Sequence, residues 1–267
     1  MTTRIFAIAN QKGGVGKTTS TINLAAFLAN AGRKTLVIDL DPQSNTTTGL
    51  GVDSHAVGTS IYEVLVNESV KPADVIRKEI RPNLALLPAK VDLYAADIEL
   101  VYLDNREYRM RHILDQIRND YEFILIDCPP SLGLLTVNAL VAADHALITA
   151  EAQYFALQGV EQAIELLELA RDGLNPELSL LGVLLNLADM RTIHSREALA
   201  SLKDRFDDQV FDTTIRSSIA YAESAERARS ILDYRPDLGA DYLDLAGEVL
   251  DRLPALSTAA PRLAQLR

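Results

Sequence analysis

Cysteine is almost missing from this sequence: its 267 residues include one, Cys128. A single thiol closes no disulfide framework and supplies too few ligands for a cysteine-held cluster. Long apolar runs are missing too. None approaches the about 18 residues that a membrane-spanning helix needs, and no stretch reads as a secretory signal. A cytoplasmic location with no membrane partner is therefore expected. An excess of basic residues is also lacking. The formal net charge of −11 excludes a surface that is basic all over, so any nucleic-acid binding must come from a local patch. Linkers, low-complexity tracts and internal repeats are absent between residues 4 and 250. With 48% hydrophobic residues, the expectation is one domain over 1–267 with a loosely ordered tail at 253–267. That tail has too few bulky apolar residues to lie on a membrane as a helix.

What is present centres on residues 10–19, Asn-Gln-Lys-Gly-Gly-Val-Gly-Lys-Thr-Thr. The apolar run Ile5–Ala9 leads into it. A helical pattern follows, with Ile22, Ala25, Ala26 and Ala29 on one face and Gly32 as the stop. Strand, glycine-rich loop and helix together form the context in which a phosphate-binding loop is expected. Gly13, Gly14 and Gly16 allow backbone N–H groups to curl around an anion, and the helix N-terminus adds partial positive charge. Lys17 is placed to reach the β- and γ-phosphates of a nucleotide, and the Thr18 hydroxyl to ligate Mg²⁺. Val15 and Thr19 complete the loop. The strict G-x-x-x-x-G-K-[ST] pattern fails, because Gln11 stands where its first glycine belongs, and a second lysine, Lys12, lies inside the loop. This is the deviant form K-G-G-x-G-K-T.

Further apolar runs at Leu36–Leu40, Leu84–Leu87, Phe123–Asp127, Ala146–Ala150 and Leu180–Asn186 alternate with helical patterns. The expected fold is α/β, a mostly parallel twisted sheet covered by helices on both faces. Ligands in such sheets sit beyond the carboxyl ends of the strands, where the polar residues of this sequence cluster. Asp39 and Asp41, two apart as the second strand ends, are candidates to hold a metal-bound water or to orient an attacking water. Phe123–Asp127 is a buried run ending in an acid, the Walker B arrangement, which places Asp127 near Mg²⁺. Pro129-Pro130-Ser131 after it suggests a loop that responds to the γ-phosphate. Asn186 ends a strand where an amide can read an adenine edge by donating and accepting at once, although a plain polar strand end reads equally well.

Other stretches carry less chemistry. His55 and Glu63 read as solvated residues, Cys128 as a packed small side chain, and Arg106–Arg111 within a charged helical region at 92–121 as a solvated face. Residues 191–229 hold seven basic and seven acidic side chains. They sum to zero, so this stretch repels an anion least.

Taken together, Lys12–Thr19, Asp39–Gln43, Phe123–Thr136 and Tyr154–Gly159 resemble the ParA/MinD group of deviant Walker A P-loop NTPases, and most of all the short chromosomal ParA (Soj) type. The resemblance covers nearly the whole chain. It implies a homodimer sandwiching two ATP molecules, with Lys12 reaching across to the partner's phosphates and Lys17 on its own nucleotide. Thr18 and Asp127 would serve Mg²⁺, the latter through water, and Asp41 would position the hydrolytic water. It also implies slow ATP hydrolysis, non-specific double-stranded DNA binding by the ATP dimer, nucleoid association in that state, and release by a ParB-type partner. Longer relatives carry an N-terminal helix-turn-helix module, for which this sequence leaves no room before the first strand. Two departures stand out. Relatives usually read Ile-Pro-Arg-Asn-Val-Arg where this chain has Ile215-Arg-Ser-Ser-Ile-Ala, which leaves Arg191, Arg216 and Arg227 as the DNA-binding candidates. Gln153 replaces a glutamate. The alternatives are a MinD-like ATPase on a membrane or scaffold, and a ParA-like ATPase that positions a cargo other than DNA.

Overall fold

Along Arg4–Ala9 (β1) the buried side chains alternate. Ile5, Ala7 and Ala9 enter one apolar cluster, while Phe6 and Ile8 enter another. Thr35–Asp39 (β2) and Phe123–Asp127 (β5) repeat the division: Leu36, Ile38, Ile124 and Ile126 join the first cluster, and Val37, Phe123 and Leu125 the second. A strand apolar on both faces is stable only when both are covered. Helices Arg109–Asp115, Leu134–Ala142 and Ala156–Gly173 cover the first face, and Lys17–Asn30 (α1) with Pro236–Asp251 cover the second. Each large side chain buried this way contributes about 1.5–3 kcal/mol. The computed structural model describes residues 3–153 and 156–253. The expected loose tail from 254 onward lies outside them, as do Tyr154 and Phe155.

The sheet has eight strands. Besides β1, β2 and β5 these are β3 (Arg77–Arg81), β4 (Leu84–Leu87), β6 (His145–Glu151), β7 (Ser179–Ala188) and β8 (Val210–Arg216). Their order is β3-β4-β2-β5-β1-β6-β7-β8, and all pairs are parallel except β3 with β4. The parallel strands therefore end on one edge. Register sets Asp39 beside Asp127, Ile8 beside Asp127, and Glu151 beside Asn186. This is the single polar edge expected of the sequence.

Two strands were not expected. β3, Arg-Lys-Glu-Ile-Arg, is an exposed edge strand whose charges discourage pairing with another chain, so it carries no apolar run. β8 has only three buried residues, Val210, Phe211 and Ile215. The helical region expected at 92–121 is broken into single turns at Val91–Ala95, Ala96–Glu99, Leu100–Tyr102 and Arg106–Tyr108 before the helix Arg109–Asp115. Asn105, at φ 54°, interrupts it. Nor is the basic cluster there wholly solvated: Arg109 is buried, donates Nε to the Leu65 carbonyl and pairs with Glu68. Cys128 is fully buried, as a packing residue should be, and burial pushes its thiol up, away from reactivity.

Candidate nucleotide-binding site

The loop between β1 and α1 owes its shape to glycine and to two asparagines. Gly14 and Gly16 stand at φ +78° and +86°, conformations that other residues adopt only with strain. A Cβ on Gly16 would lie 2.8 Å from Asn186 Nδ2, so the site needs glycine there twice over. Asn10 fastens the loop's start. Its Nδ2 donates to the Thr149 carbonyl at 2.7 Å, and its Oδ1 accepts from Lys12 N at 2.9 Å.

Asn186 fastens the other side by donating Nδ2 to the Val15 carbonyl at 3.0 Å and more weakly to Ser20 Oγ at 3.3 Å. With its donor engaged and the residue 1% exposed, it props the phosphate loop from below. This differs from the expected adenine-reading role, because β7 carries the amide under the loop. Its Oδ1 stays buried without a partner. One residue on, the β7–β8 register shifts and Leu187 takes φ 55°, a bulge of the kind that re-aims a side chain beside a site. Leu187 lines the cleft.

That cleft has a volume of about 590 Å³, and Gly13, Gly14, Lys17, Thr18, Thr19 and Asp41 are among its lining residues. Lys17 is 6% exposed, and its ammonium donates to the Lys12 carbonyl at 3.0 Å. Burial lowers its pKa, against the attraction of Asp127, Cys128 and Asp41. Burial likewise raises that of Asp41, opposed by the Gln43 N–H and by Lys17. Asp127 is wholly buried and raised to about 6, burial being the first cause. Its Oδ2 accepts from Thr18 Oγ1 at 2.8 Å and from Thr46 Oγ1 at 2.6 Å. None of these three charged groups forms an ion pair within contact distance among the described residues. Two partly desolvated charges at the cleft, Lys17 and Asp41, with Asp127 wholly buried behind Thr18, suit an arriving ligand that carries both anions and a cation.

Asp39 is where the expectation fails. Its Oδ1 accepts from Asp41 N at 3.2 Å, and its Oδ2 accepts from Thr47 N at 2.7 Å and Thr47 Oγ1 at 2.6 Å. Both oxygens hold the turn into the helix Asn45–Gly49, and neither bonds Thr18, so Asp39 acts here as a structural residue, against the expected metal role. Burial, with the Asp127 charge second, pushes it to about 7. The donor set that remains, the Thr18 hydroxyl with Asp127 behind it, fits Mg²⁺. Among the described residues no cluster of three or more His, Cys, Asp or Glu side chains could form an all-protein cage, and Mg²⁺ is usually held by one or two protein groups, phosphates and water.

Lys12 points elsewhere. Its ammonium meets Glu151 Oε2 at 2.9 Å and Gln153 Oε1 at 3.2 Å, and the Gln153 amide donates to Glu151 Oε1 at 2.5 Å. The β6 end thus holds the second lysine of the loop, and Gln153 acquires a role that its sequence position did not suggest. Thr46 and Thr47 were also missed. The signal available was the hydroxyl run 46–48 directly behind Asp41-Pro-Gln-Ser-Asn.

Each of the three arginines proposed for DNA has a partner. Arg191 is paired with Asp189 at 2.8 Å, and Arg216 with Asp241 at 2.9 Å. Arg227 lies over the Tyr234 ring, 4.8 Å from its centroid, and 3.9 Å from Glu223.

A protein-family profile described as an AAA domain matches residues 3–180. The chain is 42% identical to the sporulation initiation inhibitor protein Soj of Bacillus subtilis over 248 residues, covering 92% of this chain and 98% of Soj. It is 41% identical to the chromosome partitioning protein ParA of Myxococcus xanthus, covering 93% and 88%. Among solved structures, the cobyrinic acid a,c-diamide synthase of Mycobacterium smegmatis with bound ADP and magnesium superposes with a TM-score of 0.77 at 38% identity, over 85% of this chain and 91% of that one. With its deviant phosphate loop, its Thr18–Asp127 pair and these similarities, the chain belongs to the ParA/Soj family of P-loop NTPases.

Proposed function

We propose that the protein is an ATP-dependent dimerising switch that hydrolyses ATP slowly and partitions chromosomal or plasmid DNA. In this reading the ATP dimer binds DNA without sequence preference and is released when a ParB-type partner stimulates turnover. The observation that carries it is the division of labour between the two loop lysines. Lys17 is buried against the cleft, whereas Lys12 is half-exposed and held beyond it by Glu151 and Gln153. A lysine inside a phosphate loop but directed away from its own cleft is suited to the phosphates of a second copy.

Within one subunit, backbone N–H groups of Gly13–Lys17 and the α1 N-terminus cradle the phosphates. Lys17 binds the β- and γ-phosphates, and Thr18 with Asp127 serves Mg²⁺, which when bound offsets phosphate charge. Asp41, whose Oδ1 accepts the Gln43 N–H at 2.9 Å, keeps its other oxygen for orienting water. Among the described residues no arginine faces this cleft. Groups of that kind supply factors of about 10³–10⁵ in related hydrolases, so slow basal turnover follows. The partitioning relatives cover more of this chain, at higher identity, than the diamide synthase does, which favours this reading over a metabolic one.

The paired state of Arg191, Arg216 and Arg227 supports a second reading, a ParA-like ATPase whose cargo is not DNA. One experiment decides. Retention on non-specific duplex DNA is measured with ATP, ADP or no nucleotide across a salt series. Binding that requires ATP and falls steeply with salt is expected, because phosphate contacts release counterions. No binding at low salt while ATP still dimerises the chain would leave the non-DNA cargo.

A further inference from the structure

Two carboxylates line the cleft, Asp41 and Glu226. Asp41 accepts the Gln43 N–H and feels the charge of Lys17. Glu226 has no hydrogen-bond or ion-pair partner among the described residues. Glu223, one turn back on the same helix, is by contrast engaged: it accepts from the Tyr234 hydroxyl at 2.7 Å and lies 3.9 Å from Arg227. A lone exposed carboxylate is ordinary on most surfaces. At the wall of a cleft that receives phosphates it is a liability, because each negative charge there opposes the ligand.

Glu226 is the last residue of the helix Ala220–Glu226, and the turn that ends this helix fixes its place. Arg229 N donates to the Ser224 carbonyl at 2.9 Å, and Ala228 N to the Ala225 carbonyl at 3.0 Å. This is the closing pattern of a helix that ends on a left-handed residue. Ala228 holds that conformation at φ 49° without the freedom of glycine. Two distant segments accommodate it. Arg81 Nη2 donates to the Ala228 carbonyl at 2.6 Å, and Gly51 leaves it room, since a Cβ there would lie 3.0 Å from the Ala228 Cβ. Backbone strain that the surroundings enforce beside a cleft is a reason to look for a function. The same helix presents Ala222 and Ala225 to the cleft, and Leu187 joins them. This stretch of wall is small and apolar, with Glu226 as its one charge.

We infer that Glu226 accepts hydrogen bonds from the ribose hydroxyls of the bound nucleotide and so selects ribonucleotides over deoxyribonucleotides. The inference rests on the proposed ATPase reading and adds a specificity residue to it. The chemistry of the ligand leaves one fitting partner. The triphosphate carries like charge. The edge of adenine mixes an amine donor with ring-nitrogen acceptors, which a carboxylate, an acceptor only, meets badly. The 2′- and 3′-hydroxyls are two neutral donors side by side, a match for two carboxylate oxygens. An acidic residue holds a ribose in the same way in dinucleotide-binding folds. Hydrogen bonds from hydroxyls to a charged acceptor are the strong kind, which offsets the repulsion between Glu226 and the phosphates.

The test measures, by titration calorimetry on the full chain, the affinities for the Mg²⁺ complexes of ATP, 2′,3′-dideoxy-ATP and GTP. The wild-type chain should prefer ATP to dideoxy-ATP about tenfold. Glu226→Ala should abolish that preference by weakening ATP alone, and Glu226→Gln, which keeps one acceptor oxygen, should retain part of it. Both variants should keep the wild-type melting temperature, because the side chain is exposed. Equal wild-type affinity for ATP and dideoxy-ATP overturns the inference, as does a preference that survives in Glu226→Ala. Equal weakening of ATP and dideoxy-ATP in the variants would make Glu226 a support of the turn, and overturns it too. A changed ratio of ATP to GTP with the sugar preference intact would assign Glu226 to the base, with the same result. A wild-type chain that binds none of the three sinks the ATPase reading itself. One that binds them without regard to the sugar sinks only the role of Glu226.

Discussion

The cleft and the arginine-rich stretch 189–241 both carry charged groups but treat them in opposite ways. In the cleft, Lys17, Asp41 and Asp127 are buried or nearly so and make no direct ion pair, and burial leads every one of their pKa shifts. In the arginine stretch most cations are exposed and matched with acids, Arg191 with Asp189, Lys203 with Asp212, Arg216 with Asp241 and Arg235 with Asp237, while Arg196 and Arg229 donate to backbone carbonyls. Exposed pairs of this kind contribute about 0–1 kcal/mol, whereas a desolvated, unpaired charge costs stability unless something binds it. Charge held at a cost points to a ligand. Charge neutralised at the surface points to solubility.

The largest effects should fall in the cleft. Lys17→Met should lower ATP affinity at least about a hundredfold while raising the free energy of unfolding by about 1 kcal/mol, since a buried cation is gone. Equilibrium binding and a urea titration measure the two, and a stability loss would break the contrast between the regions. Asp41→Ala should leave ATP binding in place and slow turnover about a hundredfold, with a long-lived dimer in sedimentation; normal hydrolysis would remove Asp41 from its role. Thr46→Val strips one hydrogen bond from the buried Asp127 carboxylate and should destabilise the chain by about 1–3 kcal/mol, read from the denaturation midpoint.

At the boundary between the two regions, Glu151→Gln frees Lys12 from its ion pair. Stability should change by no more than about 1 kcal/mol, and ATP-dependent dimerisation should occur at lower protein concentration. Dimerisation unaffected by this change and by Lys12→Ala would mean that Lys12 is an ordinary surface lysine. Smallest of all, Asp241→Asn unmasks Arg216. It should raise ATP-dependent DNA retention about twofold to threefold at low salt, and no change would remove Arg216 from any DNA surface.

Much of the cleft is legible in the order of its residues. Gly13, Gly14, Gly16, Lys17 and Thr18 announce themselves because backbone curvature, a cation and a hydroxyl must follow one another at fixed spacing to hold a phosphate. Asp127 is legible for a related reason, as the acid that ends a buried run. Asp39 misleads because strand alternation gives only a side of the sheet. Which of two acids turns into the cleft depends on Thr47 capturing the other. Thr46, Gln153 and the loop-propping role of Asn186 are out of reach for the same reason, since their partners lie 81, 141 and 171 residues away in sequence.

The sequence by itself determined the alternating strands, the helix-covered parallel sheet and the chemistry of the phosphate loop, because these rest on local periodicity and on residue types acting over a few positions. Only the tertiary structure decided which charges stay unpaired, that Lys12 is held by Glu151 and Gln153, that Arg216 is paired with Asp241, and that apolar side chains of the turns at 91–102 are left exposed. Pairing and exposure are set by what distant segments bring within about 4 Å, and no local pattern encodes that.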